Sequence, residues 1–230
     1  MSAKPLHSLR LGDENTYLLD ELEEQFCIQI LDEEAQQLFT VGQLYDLISD
    51  KLENVGGNKC ASMMAFHKLR AAVHSHAGDI SLRPKIAIDD LTNISPKIFH
   101  KQIQASCNLH IPGPYTGRVG GIGAWICFAS ILAVFPMIFV IDNLMLVLGI
   151  AFGMFFIGGL LIKFDKGVWG ENQQTLGELS HEMLYYNYGI LAEWGARSDD
   201  SKIWLALINT IDGFVDFGAD NEVCRSTRLL

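Results

Sequence analysis

The chain has 230 residues, 17 Lys and Arg against 27 Asp and Glu, a formal net charge of -10 and a mean hydropathy of +0.20. That acidity argues against a nucleic-acid partner, whose phosphates call for a dense basic surface. Five scattered cysteines with no CxxC pair argue against a disulfide frame or a zinc site and suit reduced thiols in the cytosol.

Charge divides the chain into four stretches. Residues 1–57 carry 3 Lys/Arg against 12 Asp/Glu, whereas 58–118 carry 8 against 3. Residues 119–163 hold two apolar runs, and 164–230 are acidic again. No cleavable leader is expected, because Met1 to Arg10 leads into acidic sequence rather than an apolar core. In the first stretch Leu18, Leu19, Leu22 and Phe26 recur at three and four residues, which predicts an amphipathic helix with Asp20, Glu21, Glu23 and Glu24 largely opposite. Phe26 to Ile30 alternates like a short extended segment. A second helix is expected from Thr40, whose hydroxyl caps while Gln43 reaches back, and it continues through Leu44, Leu47, Ile48 and Leu52 to a break at Gly56-Gly57.

The residues Leu22-Glu23-Glu24-Gln25-Phe26-Cys27-Ile28-Gln29-Ile30, Asp32-Glu33-Glu34-Ala35 and Thr40-Val41-Gly42-Gln43-Leu44 resemble the second half of an acyl carrier protein. The resemblance covers about residues 11–52 and implies a small four-helix bundle. In that family a serine in an Asp-Ser-Leu motif carries phosphopantetheine. The corresponding pair here is Leu11 and Gly12, which has no hydroxyl, so ordinary loading is excluded at that place. Ser8 would serve only if the helix had gained about one turn, with His7 where the acid belongs. What the resemblance leaves is the acidic surface that carriers present to basic partners, here Glu23, Glu24, Glu33 and Glu34.

In the basic stretch, Cys60 to Val73 has helical spacing, and Ser95-Pro96 fits the cap and first turn of a helix to about Ser106. Its charge suits either anionic headgroups or the acidic N-terminal stretch. Two uncharged runs follow, Ile122 to Ile141 and Leu144 to Ile162, parted only by Asp142 and Asn143. About 20 apolar residues at 1.5 Å each match the roughly 30 Å hydrocarbon layer. A transmembrane hairpin over 119–163 is therefore expected, with Pro136 predicting a kink and Gly149 and Gly153 forming one small-xxx-small step for helix packing. Arg118, Lys163 and Lys166 at its base place both termini in the cytosol, at the inner (cytoplasmic) membrane.

Past the hairpin, Thr175 and Glu178 form a capping box, and Ser198 or Asp199 caps a helix through Ile203, Leu207 and Ile211. Thr175-Leu176-Gly177-Glu178-Leu179 is similar to Thr40-Val41-Gly42-Gln43-Leu44, which marks either a repeat or shared capping chemistry, the second being the simpler account. Ile203 to Leu230 resembles the first helix and following loop of a carrier protein, so the two ends of the chain would complete one permuted bundle.

Catalytic signals are weak. His74-x-His76 lacks a third ligand, there is no GxSxG, HExxH or phosphate loop, and the apolar runs hold no ionisable residue for an ion path. The expected fold class is all-α, with small helical cytosolic domains on a two-helix hairpin. The expected function is a membrane-anchored adaptor or scaffold that presents a degenerate carrier-like domain to a cytosolic protein of acyl or lipid metabolism, with no metal or cofactor. Competing expectations are a membrane-tethered acyl or peptidyl carrier loaded on Ser8 and a lipid-metabolism enzyme; the hairpin also offers a surface for homo-oligomers.

Overall fold

The structure is a computed structural model that describes residues 4–9, 15–53, 55–77, 82–91, 93–140, 143–215 and 221–229. It is predominantly helical, as expected: α1 (Asn15–Phe26), α2 (Asp32–Ala35), α3 (Val41–Glu53), α4 (Ala61–Ala77), α5 (Pro96–Ser106), α6 (Arg118–Val140), α7 (Leu144–Phe164), α8 (Leu176–Tyr186), α9 (Tyr188–Glu193) and α10 (Asp200–Phe214). Among the described residues, four two-residue strands lie near the ends of the chain: β1 (Lys4–Pro5), β2 (Ser8–Leu9), β3 (Asn221–Glu222) and β4 (Arg228–Leu229).

Helices begin where a cap and an apolar period coincide. The Thr40 hydroxyl accepts from Gln43 N–H at 3.2 Å, while Gln43 Oε1 accepts from Thr40 N–H at 3.1 Å. Thr175 and Glu178 exchange the equivalent pair at 3.2 and 2.9 Å. Pro96 stands in the first turn of α5 behind Ser95. After α1 the chain leaves the helix through Cys27 in the left-handed region, φ 51°, and residues 28–31 run as a loop rather than a strand.

One core unites the stretches outside α6 and α7. Leu18, Leu22 and Phe26 of α1, Leu44 and Ile48 of α3, Leu69 and Val73 of α4, Phe99 and Ile103 of α5, Leu179 and Met183 of α8, and Ile203, Leu207 and Ile211 of α10 are all buried in it. Burying one such side chain favours folding by about 1.5–3 kcal/mol, against about 0.2–0.5 kcal/mol for an ion pair along a helix. Apolar faces therefore decide which helices associate, across the charge boundaries at residues 57 and 118.

The two chain ends close this core together. β1 pairs in parallel with β3 and β2 with β4. Thr227 is fully buried between them: its hydroxyl donates to Leu6 O at 2.7 Å and accepts from Cys224 N–H at 3.0 Å, and its carbonyl accepts from Val41 N–H at 2.9 Å.

The two Thr-x-Gly-x-Leu motifs share more than capping. Leu229 N–H donates to Phe39 O, Val41 N–H to Thr227 O and Gly42 N–H to Arg225 O, at 3.0, 2.9 and 2.9 Å. In the same register Ile88 N–H donates to Gln174 O, Leu176 N–H to Ile86 O and Gly177 N–H to Pro84 O, at 2.9, 3.0 and 2.8 Å. Each docked segment follows a long helix, α10 in one case and α4 in the other. α10 packs against α1 and α3 as α4 packs against α5 and α8. Both motifs contain the expected capping, and beyond it they share this docking register, as two copies of one unit would.

α6 and α7 lie along one another outside the core, and α6 is continuous through position 136. Their close approach uses Gly123 and Gly158. A Cβ on Gly123 would stand 2.6 Å from Gly158 O, and one on Gly158 would stand 2.7 Å from Gly123 O. Gly149 and Gly153 take no part: a Cβ on either meets open space, because the pair turns a different face inward. The step expected from their spacing is thus not the one that joins α6 to α7.

A Cβ on Gly42 would stand 2.6 Å from Arg225 O, and one on Gly177 would stand 2.8 Å from Pro84 O. Gly42→Ala and Gly177→Ala are each expected to destabilise the protein by about 1–3 kcal/mol in thermal unfolding. Gly213→Ala, which meets open space in α10, is expected to stabilise it by up to about 1 kcal/mol.

Candidate functional site

The most organised polar site lies at the base of α6 and α7 and is built around one carboxylate. Asp165 follows α7 directly, and its side chain is 3% exposed. Its Oδ2 accepts from Gly117 N–H at 2.9 Å, Gly167 N–H at 3.1 Å and Lys97 Nζ at 3.0 Å, and its Oδ1 accepts from Gly120 N–H at 3.0 Å. Two of those donors belong to the first turn of α6 and the segment entering it. Such N–H groups have no partner within the helix and favour a negative charge. The glycines follow from the approach, since a Cβ on Gly117 or Gly120 would stand 2.6 and 2.9 Å from atoms of the Asp165 side chain. Gly167 adopts φ +73°, a conformation that favours glycine at the turn where its N–H reaches the same oxygen.

The Gly117 N–H bond, then the Lys97 ammonium, hold the Asp165 carboxyl at about 2, below its ordinary 3.8. The charged form is the one this site stabilises.

The surrounding frame ties the same base to the core. Tyr115 and Val168 exchange backbone hydrogen bonds at 2.9 and 3.0 Å, and Lys97 N–H donates to Lys166 O. Gln104 bridges Leu109 O and Ile111 N–H, and His100 Nε2 meets Ile111 O at 2.7 Å. Asn187, 1% exposed, accepts from His110 N–H at 2.7 Å and donates to His110 O and Met183 O at 2.8 and 2.6 Å. The segment from α5 to α6 is therefore fixed by the half-buried amide of Gln104 and the buried amide of Asn187, whose loss leaves unpaired backbone groups.

A second polar feature is a cleft of about 460 Å³ beside α8, lined by Asn172, Glu178, His181, Glu182, Tyr185 and Asn209 among others. Glu182 is half-buried and accepts from Gln173 Nε2 at 2.6 Å; burial pushes its carboxyl above the usual range. Tyr185 Oη lies 3.0 Å from His181 Nδ1. Tyr185 and His181 share a hydrogen bond, but the described lining supplies no nucleophilic serine or cysteine.

The acidic residues expected to face a partner divide. Glu23 accepts the backbone N–H of Ile30, and Glu34 caps Leu31 N–H at 2.8 Å while pairing with Lys51 at 2.8 Å. Both are half-buried and serve the loop between α1 and α3, whereas Glu24 and Glu33 are exposed. Ser8 sits in β2 opposite Arg228, not at the start of a helix. Leu11, Gly12 and Asp142 lie outside the described residues.

Sequence reasoning passed over Asp165, Gln104 and Asn187. For Asp165 a signal existed: an acid set between Lys163 and Lys166, with Gly117 and Gly120 at the mouth of the first apolar run. The amides left no periodic trace. The chain matches no protein-family model, no curated protein and no solved structure, so its function rests on this geometry.

The Asp165 site makes its contribution to stability above about pH 3.8 and loses it as the pH falls toward 2, where the folded carboxyl takes up its proton. Asp165→Asn should lower the melting temperature at pH 5, and its deficit against the natural protein should narrow between pH 3.8 and 2, as read by thermal unfolding.

Proposed function

We propose that the protein is a membrane-anchored adaptor: α6 and α7 cross a bilayer, and the helical head is held at the cytosolic surface to engage another protein. The observation that carries this is the exposed apolar surface of α6 and α7, including Trp125, Phe128, Phe135, Phe152 and Phe156, above a base locked to the head by Asp165. Both helices are long and apolar enough to span a membrane. In water such an array would drive association, whereas in lipid it is the solvated face. Arg118, Lys163 and Lys166 at the base favour a cytosolic head and cytosolic termini.

The head is consistent with a degenerate, permuted carrier-like bundle. α10 stands against α1 and α3, and the segment before the C-terminus docks on the start of α3, which is how an added first helix and loop would complete the N-terminal match. With Ser8 in a strand, presentation to a partner is favoured over carriage of an acyl group.

Phe152→Arg and Phe156→Arg each place a charge within α7, at about 2.5–3.5 kcal/mol for insertion near a bilayer centre. The natural protein should remain with the membrane pellet after alkaline carbonate extraction, and the double variant should shift to the supernatant. Release of the natural protein by carbonate would overturn the anchor.

A further inference from the structure

The helix α4 is apolar on two sides. Ala61, Ala65, Leu69, Ala72 and Val73 face the core, while Cys60, Met63, Met64 and His67 line an open groove of about 540 Å³ on the outside. Their spacing, at three, four and seven residues, forms one stripe along the helix. Met63 is 61% exposed at its centre, in the water-facing head rather than on α6 or α7. Methionine surfaces suit a helical partner because the unbranched thioether side chain adapts to the shape laid on it.

The rim of the groove is cationic. Lys59 and Lys68 bound it, and both are steadied by Trp194: Lys68 Nζ stands 4.6 Å over the indole ring, and Lys59 Nζ donates to the Trp194 carbonyl at 3.2 Å. At the start of α4 an adjoining recess adds Arg197 and Lys202, with Asp199 paired to Lys202 at 3.1 Å. This cationic border attracts acidic surfaces, in contrast to the chain's overall net charge of -10. The acidic helix α1 is not the occupant, because its apolar face is already in the core.

We infer that the α4 groove is the docking surface of the head, and that its occupant is an acidic amphipathic helix of another protein, with apolar side chains laid over Met63 and carboxylates meeting Lys59 and Lys68. The inference rests on the adaptor role proposed above and names the surface that performs it.

The test uses the full chain in phosphatidylcholine nanodiscs and a labelled helical peptide of about 16 residues, with Leu at every third and fourth position and Glu between. A matched peptide with Lys in place of Glu, oleate and empty nanodiscs serve as comparators. The Glu peptide should bind about tenfold more tightly than the Lys peptide, and Met63→Glu or the pair Lys59→Gln and Lys68→Gln should weaken it about tenfold or more. Met63 is exposed, so an unchanged melting temperature would show that Met63→Glu still folds. Equal binding of the two peptides, or binding indifferent to Met63→Glu, would overturn the inference. So would saturation of the groove by oleate without peptide binding, or self-association that Met63→Glu abolishes. Carbonate extraction reads the membrane anchor independently, so either idea can fail alone.

Discussion

A single carboxylate with four donors on it determines how the two halves of this molecule meet. Asp165 ends one long apolar helix, neutralises the start of the other and takes the ammonium of Lys97 from the head. Helices as apolar as α6 and α7 have no side-chain means of fixing their angle to a polar body, because their surfaces are chemically uniform. Orientation must come from directional bonds at their ends. The paired backbones of Tyr115 and Val168, with the amides of Gln104 and Asn187, extend that fixation into the core.

The head reveals a logic that the order of its elements conceals. One unit consists of α4, the docked segment at residues 84–88, α5 and α8; the other consists of α10, the docked segment at 225–229, α1 and α3. The first is interrupted by α6 and α7 between its second and last helices. The second is divided between the two ends of the chain, which the pairs β1 with β3 and β2 with β4 hold side by side.

Much of the local structure is legible in the amino-acid sequence because it depends on neighbours three and four residues apart. Thr40 with Gln43, Ser95 with Pro96, and Thr175 with Glu178 announce helix starts that the structure contains. The apolar runs are equally plain. What spacing does not reveal is which face meets which partner. Gly149 and Gly153 look like a packing step, yet Gly123 and Gly158 make the contact, since the choice depends on how two helices are rotated about their axes. Glu23 and Glu34 look like a solvated surface but satisfy backbone N–H groups of their own loop. Asp165 and Thr227 bind main-chain atoms from remote segments, and such contacts leave no pattern along the chain.

The hydrogen-bonded pair Tyr115 and Val168 is a neck: α6 and α7 form an excursion of the chain between these two positions. Among the described residues the head's cluster of buried apolar residues draws nothing from within that excursion, so the stem adds no side chain to the folded interior. Such a neck is a portable seam, across which changes in the stem and in the packing of the head act independently of one another.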